Sequence, residues 1–248
     1  MTSPRLFVDE ALGGDGSLIL NERRSHYVLH VLRRQDGDVV RLFNGRDGEW
    51  QATIVARERK SCRLALGPQV RTQAAVRPMV LAIPPLKRAA LELVIEKATE
   101  LGVSEIRLVL TDYTDVREAN VARLTAIATE AAEQCGRLDV PVISPPDALD
   151  VLTVSGGPWL FCDESGEAPP VARVLATLPK GGVTNVLVGP AGGFSVAERG
   201  RLRGNRSVVA VSLGETLLRA ETAAMAALSV LRAWRDAEIE TSSEKIHP

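Results

Sequence analysis

Two glycine-rich turns constrain this chain more than any other feature. Gly189-Pro190-Ala191-Gly192-Gly193-Phe194-Ser195 follows the apolar run Val186-Leu187-Val188. Ser212-Leu213-Gly214 follows Val208-Val209-Ala210-Val211 and precedes Leu217-Leu218-Arg219-Ala220-Glu221-Thr222-Ala223. A short apolar run, a turn of bare main chain and a helical pattern together predict a strand–turn–helix unit of an α/β sheet. In such sheets ligands bind at the carboxyl ends of the strands. Two such turns so close together predict one pocket walled by main-chain N–H and C=O groups. Neither turn has the Lys and Ser or Thr of a P-loop, and the dinucleotide pattern G-x-G-x-x-G is absent. The remaining reading is a backbone cradle for a flat heterocycle or a charged small molecule. The alternative is that the glycines only permit positive φ.

The rest of the chain divides by pattern. Residues 1–72 read as short strands at Arg5–Val8, Ser17–Leu20, Val39–Asn44, Glu49–Glu58 and Ser61–Gly67, separated by Gly, Asn and Asp. One helical segment, Ser25–Arg33, interrupts them, and a small barrel is expected. Residues 73–78 form the expected linker, within the proline-bounded stretch Pro68–Pro78. From Met79 strands alternate with helices, which implies βαβ units and a parallel sheet. Strands are expected at Met79–Ile83, Ile106–Leu110, Trp159–Cys162, Thr184–Val188 and Val208–Ser212. Helices are expected at Leu91–Leu101, 121–135, Val171–Leu178 and Glu215–Arg235, with Ser195 and Glu198 as a capping box. This second domain spans 79–236, and residues 237–248 read as a frayed polar tail.

Composition narrows the function class. The chain has 248 residues, 45% apolar and 25% charged, with a net charge of −1, and nothing in that balance demands a nucleic-acid partner. Local basic clusters, Arg57-Arg59-Lys60-Arg63 and Arg199-Arg201-Arg203-Arg206, are either solvated faces or phosphate contacts. No apolar run is long enough to span a membrane, and residues 1–10 have no signal-peptide pattern. The three scattered cysteines, Cys62, Cys135 and Cys162, point to a reducing cytoplasm. With no CxxC and three histidines, no metal site is expected; His26 and His30 stand four residues apart but lack a third ligand. No G-x-S-x-G elbow is present. Cys135 falls on the apolar stripe of its helix and reads as a core thiol. Glu133 and Arg137 at that helix end, and Arg219 and Glu221 near the second glycine turn, are polar groups placed to reach a pocket.

Several motifs occur together. Glu96-Lys97-Ala98-Thr99-Glu100-Leu101-Gly102-Val103, Glu133-Gln134-Cys135-Gly136-Arg137, the Gly189–Ser195 turn and Leu217–Ala223 resemble the RsmE family. These are 16S ribosomal RNA uridine N3-methyltransferases of the SPOUT superfamily. Pro4-Arg5-Leu6-Phe7-Val8 and His26 with Val31-Leu32-Arg33 resemble that family's PUA-like domain. The resemblance implies an α/β fold: an N-terminal PUA-like β-barrel for RNA, then a SPOUT α/β domain with a trefoil knot. It implies a homodimer, S-adenosylmethionine as cofactor and 16S rRNA of the small ribosomal subunit as substrate. Composition and periodicity could not show a knot, and the general rule for chain connections runs against one.

The resemblance implies roles as well. Arg219 is the expected donor to the developing charge on the base, with Arg5 and Arg137 as secondary donors. Glu221 is the expected orienter or proton acceptor. The cofactor would lie against Val188, Gly189, Pro190, Gly192, Ser212, Leu213, Gly214, Leu217 and Leu218, with Phe161 and Glu164 completing the pocket. RNA would meet Arg5, Arg23, Arg33, Arg34, Lys87 and Arg137. The chain departs from the family pattern at Ala191, usually Glu, and at Thr216, often basic. A non-catalytic RNA-binding module, or a SPOUT methyltransferase acting on another nucleotide, are the alternatives.

Overall fold

The computed structural model of the chain describes residues 3–14, 16–58, 60–75, 77–150, 158–179 and 185–243. The chain divides into two compact units. One is Met1–Val76 with Ala132–Val140; the other is Arg77–Ala131 with Pro141–Pro248.

The first unit is built on five strands: β1 (Arg5–Phe7), β2 (Ser17–Leu20), β3 (Val39–Phe43), β4 (Glu49–Arg57) and β5 (Cys62–Arg71). Their order is β1-β3-β4-β5-β2, with β1 parallel to β3 and the other pairs antiparallel. Alternating side chains face one core. Leu6 from one margin and Leu18 and Leu20 from the other meet Val40, Leu42, Ile54 and Leu64 there, so the sheet curls around it. β5 runs on through Pro68 to Arg71, beyond the expected strand end. The expected helix Ser25–Arg33 is instead a short helix, α1 (Glu22–His26), capped by Asn21, followed by a π-helical turn at Tyr27–Val31. Arg33 then closes the segment at φ 53.

Residues 132–140 complete this unit. Ala132 and Leu138 are buried with Phe43, and Phe7 and Val140 pack beside them.

The second unit holds six strands: β6 (Val80–Ile83), β7 (Glu105–Leu110), β8 (Val142–Ala148), β9 (Trp159–Cys162), β10 (Asn185–Leu187) and β11 (Val208–Val211). All are parallel, in the order β11-β9-β10-β6-β7-β8. The central strands are buried on both faces, as a parallel sheet requires. Strand β8 has no counterpart among the expected strands, because Pro145-Pro146 reads as a loop. It is tolerated as an edge strand, where missing N–H groups disrupt no inner ladder.

The helices are α2 (Arg88–Glu100), α3 (Val121–Cys135), α4 (Val171–Leu175), α5 (Val196–Gly204) and α6 (Ala220–Ser243). α2 packs on α6, which also covers β6 and β10, while α5 covers β11. The last helix starts later and ends later than expected. Residues 215–219 lie outside any helix, and α6 runs on from 237 as far as Ser243. Residues 244–248, Thr184 of the expected strand and Arg59 of the basic cluster lie outside the described residues.

Candidate functional site

The parallel sheet brings the carboxyl ends of β9 and β11 side by side. The segments leaving them are stitched together by main chain. Asp163 N donates to Val211 O at 2.9 Å, Ser212 N to Pro169 O at 2.8 Å and Val171 N to Ser212 O at 3.0 Å. Between the segments lies a cavity of about 520 Å³, within the usual range for small-molecule sites.

Of the expected cofactor residues, Glu164, Ser212, Leu213, Gly214, Leu217 and Leu218 line this cavity. Gly214 has φ +130, a conformation suited to glycine, and Ser212 Oγ hydrogen-bonds its N–H at 3.2 Å. Phe161, Val188, Gly189, Pro190 and Gly192 are not among the lining residues. Phe161 is fully buried in the core, edge-on to Phe194 with ring centroids 4.9 Å apart. Val188 is buried, with its N–H donated to Ala82 O.

The sequence reading missed Cys162, Asp163, Gly166, Ala168, Pro170, Glu215, Thr216 and Ala223, which also line the cavity. A signal was present for the first five: Asp163–Pro170 is a Gly- and Pro-containing turn at the end of an apolar strand, the same pattern that singled out the other two turns.

The first glycine turn adjoins the cavity through one residue. Glu164 accepts from Phe194 N at 3.1 Å and pairs with Arg199 at 3.1 Å. A Cβ on Gly193, itself at φ +71, would lie 2.3 Å from the Glu164 carboxylate. A Cβ on Gly189 would lie 2.5 Å from the Phe194 ring. The expected capping box is present: Ser195 N donates to the Glu198 carboxylate at 2.9 Å and Glu198 N to Ser195 Oγ at 3.2 Å.

Charges around the cavity are mostly neutralised. Burial raises the Asp163 carboxyl's pKa, but hydrogen bonds from Ser165 and Arg203 outweigh it and hold the group below its ordinary value. Arg203 reaches Asp163 at 2.7 Å and Glu167 at 2.6 Å. Glu215 forms no ion pair or hydrogen bond among the described residues, so it is the one uncommitted carboxylate lining the cavity. Burial pushes the Cys162 thiol up to about 12, which keeps it protonated and unreactive at neutral pH.

Arg219 stands exposed just ahead of α6, its carbonyl accepting from Ala223 N at 2.8 Å, and Glu221 is half-buried in the first turn. Neither side chain has an ion pair or hydrogen bond among the described residues. Lys87 is exposed at the start of α2.

In the first unit two of the expected residues are held by partners. The Arg5 side chain is mostly buried. Its Nε donates to the buried Glu49 at 2.5 Å, Nη1 to Ala132 O at 2.8 Å and Glu133 O at 3.0 Å, and Nη2 to Arg137 O. It also lies 4.5 Å over the Phe43 ring. The guanidinium therefore caps the carboxyl end of α3, where unpaired carbonyls need donors. Arg137 is also committed, to Asp139 at 2.6 Å, with its side chain mostly buried.

Glu133 accepts from Phe7 N at 2.9 Å, so it too serves the first unit's packing. Cys135, expected in the core, is exposed because the last residue of α3 has left the stripe. Arg23 and Arg33 are exposed, and Arg34 is half-buried with its Nε unpartnered. The basic clusters are largely ion-paired: Arg199 with Glu164, Arg201 with Asp150, Arg203 with Asp163, Arg57 with Asp36 and Lys60 with Glu22. Among the described residues no group of His, Cys, Asp or Glu is arranged to hold a metal, and no helix is long and apolar enough to cross a membrane.

The chain thus combines a curled β unit with a parallel α/β sheet that carries a main-chain-walled cavity at its carboxyl edge, and its matches define the class as RNA methyltransferase. Residues 72–232 match the RNA methyltransferase domain, and residues 20–66 match the RNA methyltransferase PUA domain. The chain belongs to the ribosomal RNA small subunit methyltransferase E family. It is 32% identical over 231 residues to the ribosomal RNA small subunit methyltransferase E of Rickettsia conorii, covering 92% of this chain and 94% of that one. A solved methyltransferase of Legionella pneumophila, in complex with its cofactor S-adenosylmethionine (SAM), matches with a TM-score of 0.84 at 26% identity. That match covers 94% of this chain and 98% of that one. The fold is shared as well by a ribosomal RNA small subunit methyltransferase E of Neisseria gonorrhoeae bound to SAM, with a TM-score of 0.83 at 24% identity, covering 94% and 98% of the two chains.

Proposed function

We propose that this protein methylates N3 of a specific uridine in 16S rRNA of the small ribosomal subunit, using SAM, as a homodimer in the cytoplasm. The observation that carries this reading is the cavity at the ends of β9 and β11, in a chain similar along 94% of its length to a methyltransferase with SAM bound. The cavity fits such a group. It has the volume for a nucleoside-sized molecule, bare main chain at Ser212–Gly214 to meet a heterocycle, and Glu215 free to meet a cationic portion. Leu217 and Leu218 supply apolar cover. The family resemblance adds a trefoil knot to this domain.

SAM supplies an electrophilic methyl group on a sulfonium. The protein's task is to align N3 with that methyl, which proximity and orientation accomplish. As the N3–C bond forms and the S–C bond breaks, the N3 proton must leave, and negative charge spreads onto O2 and O4. Arg219, exposed and unpaired among the described residues, donates hydrogen bonds to that charge. Glu221, two residues on, orients the base or accepts the proton. Arg23, Arg33, Arg34 and Lys87 meet phosphates, which position the RNA without reading its sequence. Arg5 and Arg137 are the weaker candidates for either role, since their guanidinium groups are committed to helix capping and to Asp139.

Transfer of labelled methyl to small-subunit RNA from cells lacking this gene, with mass mapping of the product, tests the reading. Arg219→Ala should lower kcat by about 10²-fold or more while SAM affinity holds. Full turnover by that variant would remove Arg219 from the chemistry. Absence of calorimetric heat with SAM would leave an RNA-binding module.

A further inference from the structure

Tyr113 is a large aromatic side chain that neither the core nor the cavity uses. It stands in the loop after β7 and is 53% exposed. The loop under it is held firmly. Thr111 N donates to Thr114 Oγ1 at 2.8 Å, the two buried hydroxyls share a hydrogen bond at 2.9 Å, and Thr114 N returns to Thr111 O at 3.2 Å. Asp112 N donates to the buried Glu198 carboxylate at 2.8 Å, and the Asp112 carboxylate accepts from Ser195 Oγ at 2.5 Å. The capping box of α5 therefore fixes this loop as well as its own helix.

Tyr113 also lies against the first glycine turn. A Cβ on Gly192 would come within 3.2 Å of the Tyr113 Cβ, so the missing side chain at 192 lets the two segments approach. The next residue, Gly193, abuts Glu164, which lines the cavity. Tyr113 is thus separated from the cavity by the width of one glycine turn. A fixed, exposed ring costs solvation unless something flat covers it, and single-stranded nucleic acid stacks its bases on such rings. A base that undergoes chemistry must leave its own stack, which creates a need for a replacement surface.

We infer that Tyr113 contacts the substrate directly, stacking on a base of the RNA strand that delivers the target uridine to the cavity. This rests on the methyl-transfer reading above. The test compares wild type, Tyr113→Phe and Tyr113→Ala in full-length protein, by steady-state methylation of undermethylated small-subunit RNA, calorimetry with SAM, thermal melting and sedimentation. Tyr113→Ala should raise KM for RNA on the order of ten-fold, while SAM affinity, melting temperature and oligomeric state stay unchanged. Tyr113→Phe should keep near wild-type KM, since the ring and not the hydroxyl stacks.

An unchanged KM in Tyr113→Ala, with active wild type, overturns this inference alone. A Phe variant as damaged as the Ala variant also overturns it, by pointing to the hydroxyl. A changed sedimentation coefficient overturns it by showing that the ring packs against a second copy. Wild type that neither binds SAM nor transfers methyl brings down the functional reading, and this inference with it.

Discussion

The two glycine turns look alike in sequence and do opposite things in the fold. The Gly189–Ser195 turn is packed. Its glycines are there because the Phe194 ring and the Glu164 carboxylate occupy the space a Cβ would need, 2.5 Å and 2.3 Å away. The Ser212–Gly214 turn is open. Nothing lies within 4 Å of a Cβ on Gly214; what restricts that residue is its φ of +130. One turn uses glycine chiefly for close approach, although Gly193 also sits at φ +71, and becomes a wall between β7 and the cavity. The other uses it for backbone freedom and leaves main chain bare toward a ligand. A glycine-rich turn is therefore evidence for a site only after its neighbours are known.

Substitutions can break or sharpen this contrast. The largest effect is expected from Gly189→Ala, because its Cβ meets an aromatic ring already wedged against Phe161. Overpacking of this kind costs about 1–3 kcal/mol, and thermal melting should fall by several degrees; an unchanged melt would mean that the first turn is not packed as described. Gly214→Ala takes its cost as backbone strain, about 1–3 kcal/mol, and should weaken SAM binding in calorimetry more than Gly189→Ala does. If the two variants rank the other way in SAM affinity, the assignment of wall and cradle is reversed.

The smallest effect concerns the stitching beneath the second turn. Asp163 is held ionised below its ordinary value by Ser165 and Arg203. Its contribution is complete at neutral pH, starts to fall near the ordinary carboxylate value of about 4, and disappears as pH drops through the lowered folded value. Melts of wild type and Asp163→Asn should differ at pH 7 and converge on acidification. A difference that stays constant with pH would assign the loss to packing.

Much of the architecture was legible because its signals are local. The capping box of Ser195 and Glu198 needs residues three apart, and the apolar runs at Trp159–Cys162 and Val208–Val211 announce strands by themselves, the first of them fully buried. Edge strand β8 was illegible because its prolines are acceptable only at a sheet margin, which is a property of the whole sheet. The residues flanking the cavity were half-legible: the second turn was read, the Asp163–Pro170 segment opposite it was not. The packing role of Arg5 was illegible for a plainer reason. A basic residue near the start of an RNA-binding unit looks like a phosphate contact until the carbonyl of Arg137, 132 positions away, is found against it.

By itself the amino-acid order determined most of the strands, helices, caps and turns, along with the alternation that makes a curled β unit and a parallel α/β unit, since these follow from neighbours a few residues apart. Only the tertiary structure decided which polar groups remain available. Arg5, Asp163 and Glu164 are committed to partners far along the chain and Arg137 to nearby Asp139, whereas Arg219, Glu215 and the ring of Tyr113 are left facing out. The physical reason is that a charge or a ring becomes a tool for chemistry only when folding has not already satisfied it.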